Sequence, residues 1–309
     1  MTHANNRIRG AQVRARIAAL DPRRDADEIA RLSLTVLHGH GALVYALFTV
    51  AFLEQVAVPA MARTLYRRGT GDIVRDTLRR NDDTIVFFGN LLDHGPDSAV
   101  GRAWIERLNQ IHAHFPLRAQ DSLYTLATLA LDPHAITTSL GVRLFSEAEQ
   151  EAHWRFWRAV AVRQHLVDIP DERAELARWA LAYEQREYAA SDDGRAIARA
   201  LIDAFGQRCL PRAARSAATR VIATFCSRPL RRVHGLPDPD LATRALVGAG
   251  LRAYAASVDF QRLDPHRSLA VDFGERRYGP RTPDEVGYHH GGRVRLDRPE
   301  GNQDAKPGQ

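Results

Sequence analysis

The sequence predicts an all-α protein in which one large multi-helix globular domain is followed by an irregular C-terminal tail. Three observations carry that expectation. Sustained alternation of β-branched residues is missing, and no Asn-Gly or Asp-Gly turn separates two apolar runs, so the usual marks of strands and hairpins are not seen. Proline recurs at Pro59, Pro96, Pro116, Pro133, Pro170, Pro211 and Pro229, cutting the chain into segments of ordinary helix length. Within most of those segments apolar residues return every three or four positions, the repeat of a helix that buries one face. The 309 residues, 45% hydrophobic and 26% charged, suffice for a substantial core, and no internal repeat divides them.

Taken in order, Met1–Leu20 is polar and arginine-rich, without an apolar run ahead of a small-residue cleavage site. Residues 1–24 therefore read as a polar lead, and the expected location is cytoplasmic. Gly41–Leu53 is the strongest apolar run, 13 residues that meet Glu54 and Gln55, short of the roughly 20 that a spanning helix needs. It reads as a buried core helix, with peripheral contact to a membrane surface as the lesser alternative. Asp72–Leu92 and Ser98–Phe115 read as helices. Ser146 with Glu149 forms a capping box ahead of Phe156, Trp157, Val160 and Ala161. Asp171 is expected to cap the next helix, in which Leu176, Trp179 and Tyr183 share a face. After about Arg262 the pattern dissolves into turn-forming pairs such as Asp264-Pro265, Thr282-Pro283 and Gly291-Gly292. Residues 25–271 are thus expected to form the domain and 272–309 a loop-rich or disordered tail. His289 and His290 in that tail are too isolated to argue for a metal.

The formal charge of +6 is local: seven arginines and no acid lie between Ala204 and Pro237, and six arginines face Asp21 and Asp25 in the first 25 residues. Lys306 is the sole lysine. Aromatic interleaving in the arginine-rich stretch is limited to Phe205 and Phe225, and no reading module is present, which argues against nucleic acid as a partner. A solvated helical face is the ordinary explanation for these arginines. Two cysteines, Cys209 and Cys226, make neither a disulfide framework nor a zinc site by themselves.

The familiar catalytic strings are missing. There is no GxxxxGK[ST] loop, no complete GxGxxG, no HExxH and no GxSxG, and none of the 13 histidines has a glutamate three residues before it. An enzyme of this sequence needs either a cofactor held by few protein ligands or chemistry from scattered residues.

Two helices could hold such a cofactor. In Ser98–Phe115, Trp104, Ile105, Leu108, Ile111 and Phe115 recur at helical spacing, and His112 falls on the same face. His114 lies about 200° around the helix from His112 and points toward the polar side. An imidazole on an apolar stripe needs partners. One reading is a core histidine bonded to neighbours; the other is an axial ligand to haem iron. In Asp72–Leu92, Arg80 and Thr84 are one turn apart and share a column with Phe87, Phe88 and Leu91. Arg80 either pairs with Asp76 on its own helix or meets an anion such as a haem propionate or a polar oxygen intermediate, with Thr84 supplying a hydroxyl.

An ordered set of strings links these residues: Arg80-Asn-Asp-Asp-Thr84, Phe88-Gly89, Asp97-Ser98 through Arg102-Ala103, Arg107-Leu-Asn109-Gln-Ile-His112, Asp121 through Leu126, Gly141-Val-Arg143, Glu149 with Phe156-Trp157, Asp168-Ile-Pro170 and Tyr183-Glu184. Spanning about residues 25 to 255, they resemble the oxygenase family of fungal MpaB and the latex-clearing rubber oxygenases, the MpaB branch more closely. The resemblance implies an all-helical fold around b-type haem that uses dioxygen to cleave isoprenoid carbon–carbon double bonds. It makes His112 the iron ligand and Arg80 and Thr84 the catalytic pair beside the haem. Phe88 and Asn109 join His112 and Arg80 as cofactor-contacting residues. Trp157, Phe87 and Tyr124 are further candidates to line the pocket. Two departures stand out: Asp83 takes the place of a lysine that precedes the threonine in rubber oxygenases, and Arg63 and Thr64 stand near the position of their upstream glutamate, with Glu54 too far back. The expected function is a haem-b oxygenase acting with dioxygen on a small apolar, isoprenoid-like substrate; the alternative is a non-catalytic helical protein that binds an apolar ligand or a membrane surface.

Overall fold

The computed structural model describes residues 7–289, and nearly all of their regular structure is helical. A two-residue strand, β1 (Ile8–Arg9), leads into α1 (Gly10–Ala18). α2 (Ala26–Ala30) runs on as a π-helical stretch, Arg31–Leu37, and is followed by α3 (Gly41–Val56), α4 (Pro59–Tyr66) and the single turn α5 (Asp72–Arg75). Next come α6 (Thr77–His94), α7 (Ala99–His112), α8 (Ala119–Ser139), α9 (Glu147–Arg163) and α10 (Arg173–Glu187). The chain continues with α11 (Asp192–Cys209), α12 (Ala218–Phe225), α13 (Arg228–His234), α14 (Leu241–Ser257), β2 (Arg262–Leu263), a second π-helical stretch at Val271–Glu275, and α15 (Arg276–Tyr278).

α3 is the centre of this arrangement because it is apolar on nearly every side. Tyr45, Val50, Leu53 and Val56 are wholly buried, and the helix packs against α4, α8, α11 and α12. It is the core helix that its composition predicts. Among the described residues no single helix is long and apolar enough to cross a membrane.

Most of the expected punctuation is found. Pro59 and Pro229 sit in the first turns of α4 and α13, where a missing N–H costs nothing. Ser146 Oγ accepts from Glu149 N at 3.2 Å while Glu149 Oε2 accepts from Ser146 N at 2.8 Å, the reciprocal capping box. Pro133 departs from the expected pattern, since α8 runs straight through it. Both halves of α8 bury side chains, Leu126 and Ala130 before the proline and His134 and Ile136 after it, and that packing offsets the lost backbone bond. Asp171 does not cap α10; it pairs instead with Arg158 at 2.7 Å, and Glu172 stands at the N-cap without a side-chain bond. The expected helix over Asp72–Leu92 is broken at Asp76, whose φ of −145° ends α5 and starts α6.

Two boundary expectations need correcting. Residues 7–24 are more than a polar lead, because α1 buries Val13 and Ile17 against Ile29, Leu32, Val36 and Val258, and β1 pairs antiparallel with β2 in the register Ile8↔Leu263. The stretch from 272 to 289 is likewise packed, with Phe273 and Val286 buried in the main core. Gly89 makes room for it: a Cβ there would lie 2.5 Å from Ala270 N, so only glycine lets this segment rest directly on α6. Residues 290–309, including His290, lie outside the described residues. Arg208, at the start of the arginine-rich stretch, is not a solvated side chain; it pairs with Asp82 and lies 5.8 Å over the Tyr45 ring. Arg212, Arg215, Arg220, Arg228 and Arg232 are exposed as expected.

A second buried polar group gathers around Phe145. His134 Nε2 and His153 Nδ1 are 2.7 Å apart, and His38 lies edge-on to the Phe145 ring with centroids 5.0 Å apart. Burial pushes His38 and His134 down to about 3, so both are neutral in the fold. In the unfolded chain each takes up a proton below about pH 6.5. Stability contributed by these neutral imidazoles is therefore complete above that pH and declines as pH falls toward 3, by up to about 1.4 kcal/mol per pH unit for each group. Calorimetric melting between about pH 7 and 4.5 should show a shallower decline in the His38→Gln, His134→Gln double variant than in the parent. Equal slopes would assign the acid sensitivity to other groups.

Candidate functional site

α6 and α7 lie side by side, and together with α3, α8 and α9 they enclose a cavity of about 180 Å³. Its walls are mainly apolar, with Phe48 and Phe52 from α3, Phe87 and Phe88 from α6, Leu108 from α7 and Trp157 from α9. The rings interlock: Phe88 meets Trp157 edge-on at 5.3 Å and tilts against Phe48 at 5.8 Å.

The polar groups on this wall include residues picked out by spacing. Arg80, Thr84 and His112 all line the cavity, although Arg80 and His112 come from different helices. Arg80 Nη1 donates to Thr84 Oγ1, Thr84 Oγ1 donates to Arg80 O at 3.0 Å, and the guanidinium lies 5.6 Å over the Phe52 ring. The one-turn spacing thus produces a positioned cation on the cavity wall. His112 closes α7, and its imidazole has no hydrogen-bond partner among the described residues. Burial, aided by the Arg80 charge, pushes it down to about 4, so it presents a neutral nitrogen with a free lone pair. His114 is exposed, with Nδ1 2.7 Å from Gln110 O, as its place on the helix predicts.

Phe88 lines the cavity, as do Phe87 and Trp157. Asn109 does not: its Nδ2 donates to Arg163 O at 3.2 Å and ties α7 to the end of α9. Although three residues before His112 on the same helix, it reaches across to α9 instead. Tyr124 is also elsewhere, donating to Glu184 Oε1 at 3.1 Å and meeting Tyr188 Oη at 2.5 Å in a buried cluster with Glu54 and Asp132. Burial raises Glu54 to about 7 and moves Asp132 upward too, so both carboxyls hold their protons more tightly than exposed ones do. Thr64 does reach the cavity, its hydroxyl committed to Ala60 O at 3.1 Å.

Sequence reasoning did not place four further residues on this wall. Asp121 lines the cavity; Arg118 Nε donates to both of its carboxylate oxygens at 2.9 and 3.0 Å, and the Tyr183 hydroxyl donates to Oδ1 at 2.5 Å. Asp83 faces the cavity and is paired with Arg281 at 2.7 Å. Gly287 and Tyr288 come from the segment expected to be loose. The one signal for them was Tyr278, Val286 and Tyr288 standing apolar within a polar stretch.

The donor set indicates what this wall can hold. Among the described residues no group of three or more His, Cys, Asp or Glu side chains could ligate a bare metal ion. A single neutral imidazole suits a metal that brings its other ligands in a macrocycle, and a cation nearby suits that macrocycle's carboxylates. Trp157 Nε1 adds a buried donor with no partner among the described residues, an unmet group on the same wall. The residues present fit haem.

The profile of the family described as ER-bound oxygenase mpaB/B'/Rubber oxygenase, catalytic domain, matches residues 36–260. None of the curated proteins matches the chain. Among solved structures, latex clearing protein LCP in the closed state has a similar fold, with a TM-score of 0.55 and 16% sequence identity over 81% of this chain and 74% of that one. The helices that build the cavity fall inside the matched span, and the chain belongs to the MpaB/rubber oxygenase catalytic-domain family.

Proposed function

We propose that the chain is a haem-b oxygenase that acts with dioxygen on a small apolar, isoprenoid-like molecule. The observation that carries the proposal is the unpartnered, neutral imidazole of His112 on the wall of an apolar cavity. A core histidine of the ordinary kind has its nitrogens satisfied by neighbours, and this one does not. Bound haem would supply the one-electron and dioxygen chemistry that the side chains alone lack.

The residues of the chain then divide the remaining work. His112 is the protein's ligand to the iron, kept unprotonated by burial over the whole physiological range. Arg80 provides a fixed positive charge for an anionic group of the cofactor or for negative charge that develops during reaction. Thr84 acts through Arg80: its hydroxyl accepts from the guanidinium and donates to the carbonyl one turn back, so it orients the cation. Phe52, Phe88, Leu108 and Trp157 shed water and accept an apolar substrate. Asp83, paired with Arg281, cannot serve as the basic distal group that a lysine would be.

Purified protein, or protein reconstituted with haemin, is expected to show a Soret band that is lost in His112→Ala and partly restored by added imidazole. Colourless protein that takes up no haemin sinks the assignment and favours the non-catalytic apolar-ligand reading. Arg80→Gln is expected to weaken haemin binding or lower kcat/KM for a short isoprenoid alkene by roughly 10- to 100-fold, the range for a hydrogen bond to a charged group. Thr84→Val should produce a smaller loss of the same kind. Oxygen uptake and haemin titration of both variants measure this, and unaltered values in Arg80→Gln would remove it from the reaction.

A further inference from the structure

The segment after Tyr278 has little regular structure, yet it is fastened at both ends. Near its start Arg281 Nη1 donates to Asp83 Oδ1 on α6 at 2.7 Å, and neither side chain is more than 3% exposed. At its far end Arg107 Nη2 on α7 donates to Tyr288 O at 2.8 Å and, more distantly, to Val286 O at 3.5 Å. Val286 between them is fully buried. The segment therefore crosses from α6 to α7, the two helices that carry Arg80, Thr84 and His112.

Its inner surface is shaped for contact with the cavity. Gly287 has a φ of 86°, and a Cβ there would stand 2.8 Å from Ile111 Cδ1 and 3.3 Å from Phe87 Cε2, so glycine lets the backbone lie directly on the wall. Gly287 and Tyr288 both line the cavity. The Tyr288 ring meets Phe115 edge-on at 5.0 Å, and the Arg67 guanidinium sits 5.1 Å over it. Between the fastenings, a capping box of Thr282 and Glu285 satisfies the local backbone, with Thr282 N donating to Glu285 Oε2 at 2.8 Å.

The two fastenings differ in strength. Separating Asp83 from Arg281 would strand a buried charge, whereas Arg107 holds neutral carbonyls beside a ring that is only half-buried. We propose that residues 281–288 form a strap hinged at Arg281 and latched at Arg107, and that Tyr288 is the wall residue that sets which apolar molecules enter the cavity. Opening frees Tyr288 and Gly287 from Phe115 and Ile111 while the Asp83–Arg281 pair stays closed. The inference rests on the reading of the cavity as the substrate site.

The test uses the full chain and an uncharged apolar fluorophore, Nile red, mixed by stopped flow, together with hydrogen exchange. Arg107→Ala, which loses one charged hydrogen bond, and Tyr288→Ala, which keeps the carbonyl but loses the ring contacts to Phe115 and Arg67, are each expected to bind the dye about tenfold faster than the parent. Tyr288→Phe should keep the parent rate. Amides of residues 284–288 should lose protection in Arg107→Ala while those of α6 keep theirs, which separates unlatching from unfolding. Dye rates and protection that match the parent in both alanine variants overturn the strap. Haemin titration of the same proteins tests the haem assignment independently: a parent that takes up no haemin defeats that assignment, and the dye rates still decide whether the strap controls entry.

Discussion

Two adjacent carboxylates on α6 have been taken out of water, and much of the architecture around the cavity follows from the need to neutralise them. Asp82 and Asp83 are essentially inaccessible, a position that charged groups occupy only when paired. Asp82 receives Arg208 from α11 and the Tyr278 hydroxyl at 2.7 Å, and Asp83 receives Arg281. One acidic dipeptide thus fixes α6 to a distant helix and to the end of the described chain. Arg80 and Thr84 flank it, so their column on α6 inherits its rigidity from this buried charge network. Burial raises the Asp82 carboxyl, which shows that its partners only partly compensate the loss of water.

The cavity wall keeps its polarity sparse. A neutral imidazole from one helix and a cation from the next stand within a shell of aromatic rings, where each polar interaction is stronger than it would be in water. The same burial that lowers His112 leaves it a free lone pair in place of a proton. Acidic groups with raised affinity for protons, Glu54 and Asp132, are kept apart in the neighbouring cluster with Tyr124 and Tyr188. The fold separates a neutral imidazole on the cavity wall from carboxyls that hold their protons more tightly than usual.

The helices and the face of α7 were legible because they rest on local periodicity: Trp104, Ile105, Leu108 and Ile111 state their own register, and His112 shares it. The Arg80–Thr84 contact was legible for the same reason, being one turn long. Pro133 misled because tertiary packing on both sides of it outweighs a local rule. Asn109 misled because a motif string does not say which way each of its members turns. The pairing of Asp83 and the place of Tyr288 were invisible, since they depend on partners 198 and 181 positions away along the chain, and no window of sequence contains both halves of such a contact. The resemblance in the ordered strings supplied the family, and the geometry supplied which of the matched residues meet in space.

The long loop closed by Asp83 and Arg281 also sets an order of events for the nascent chain. When Asp83 leaves the ribosome, the Arg281 that will neutralise it has 198 further positions to wait. Chain entropy makes a contact of that span slow to form. Until then the cavity lacks the wall that Gly287 and Tyr288 later provide. The side of the cavity that Gly287 and Tyr288 form is therefore the last to be completed during synthesis.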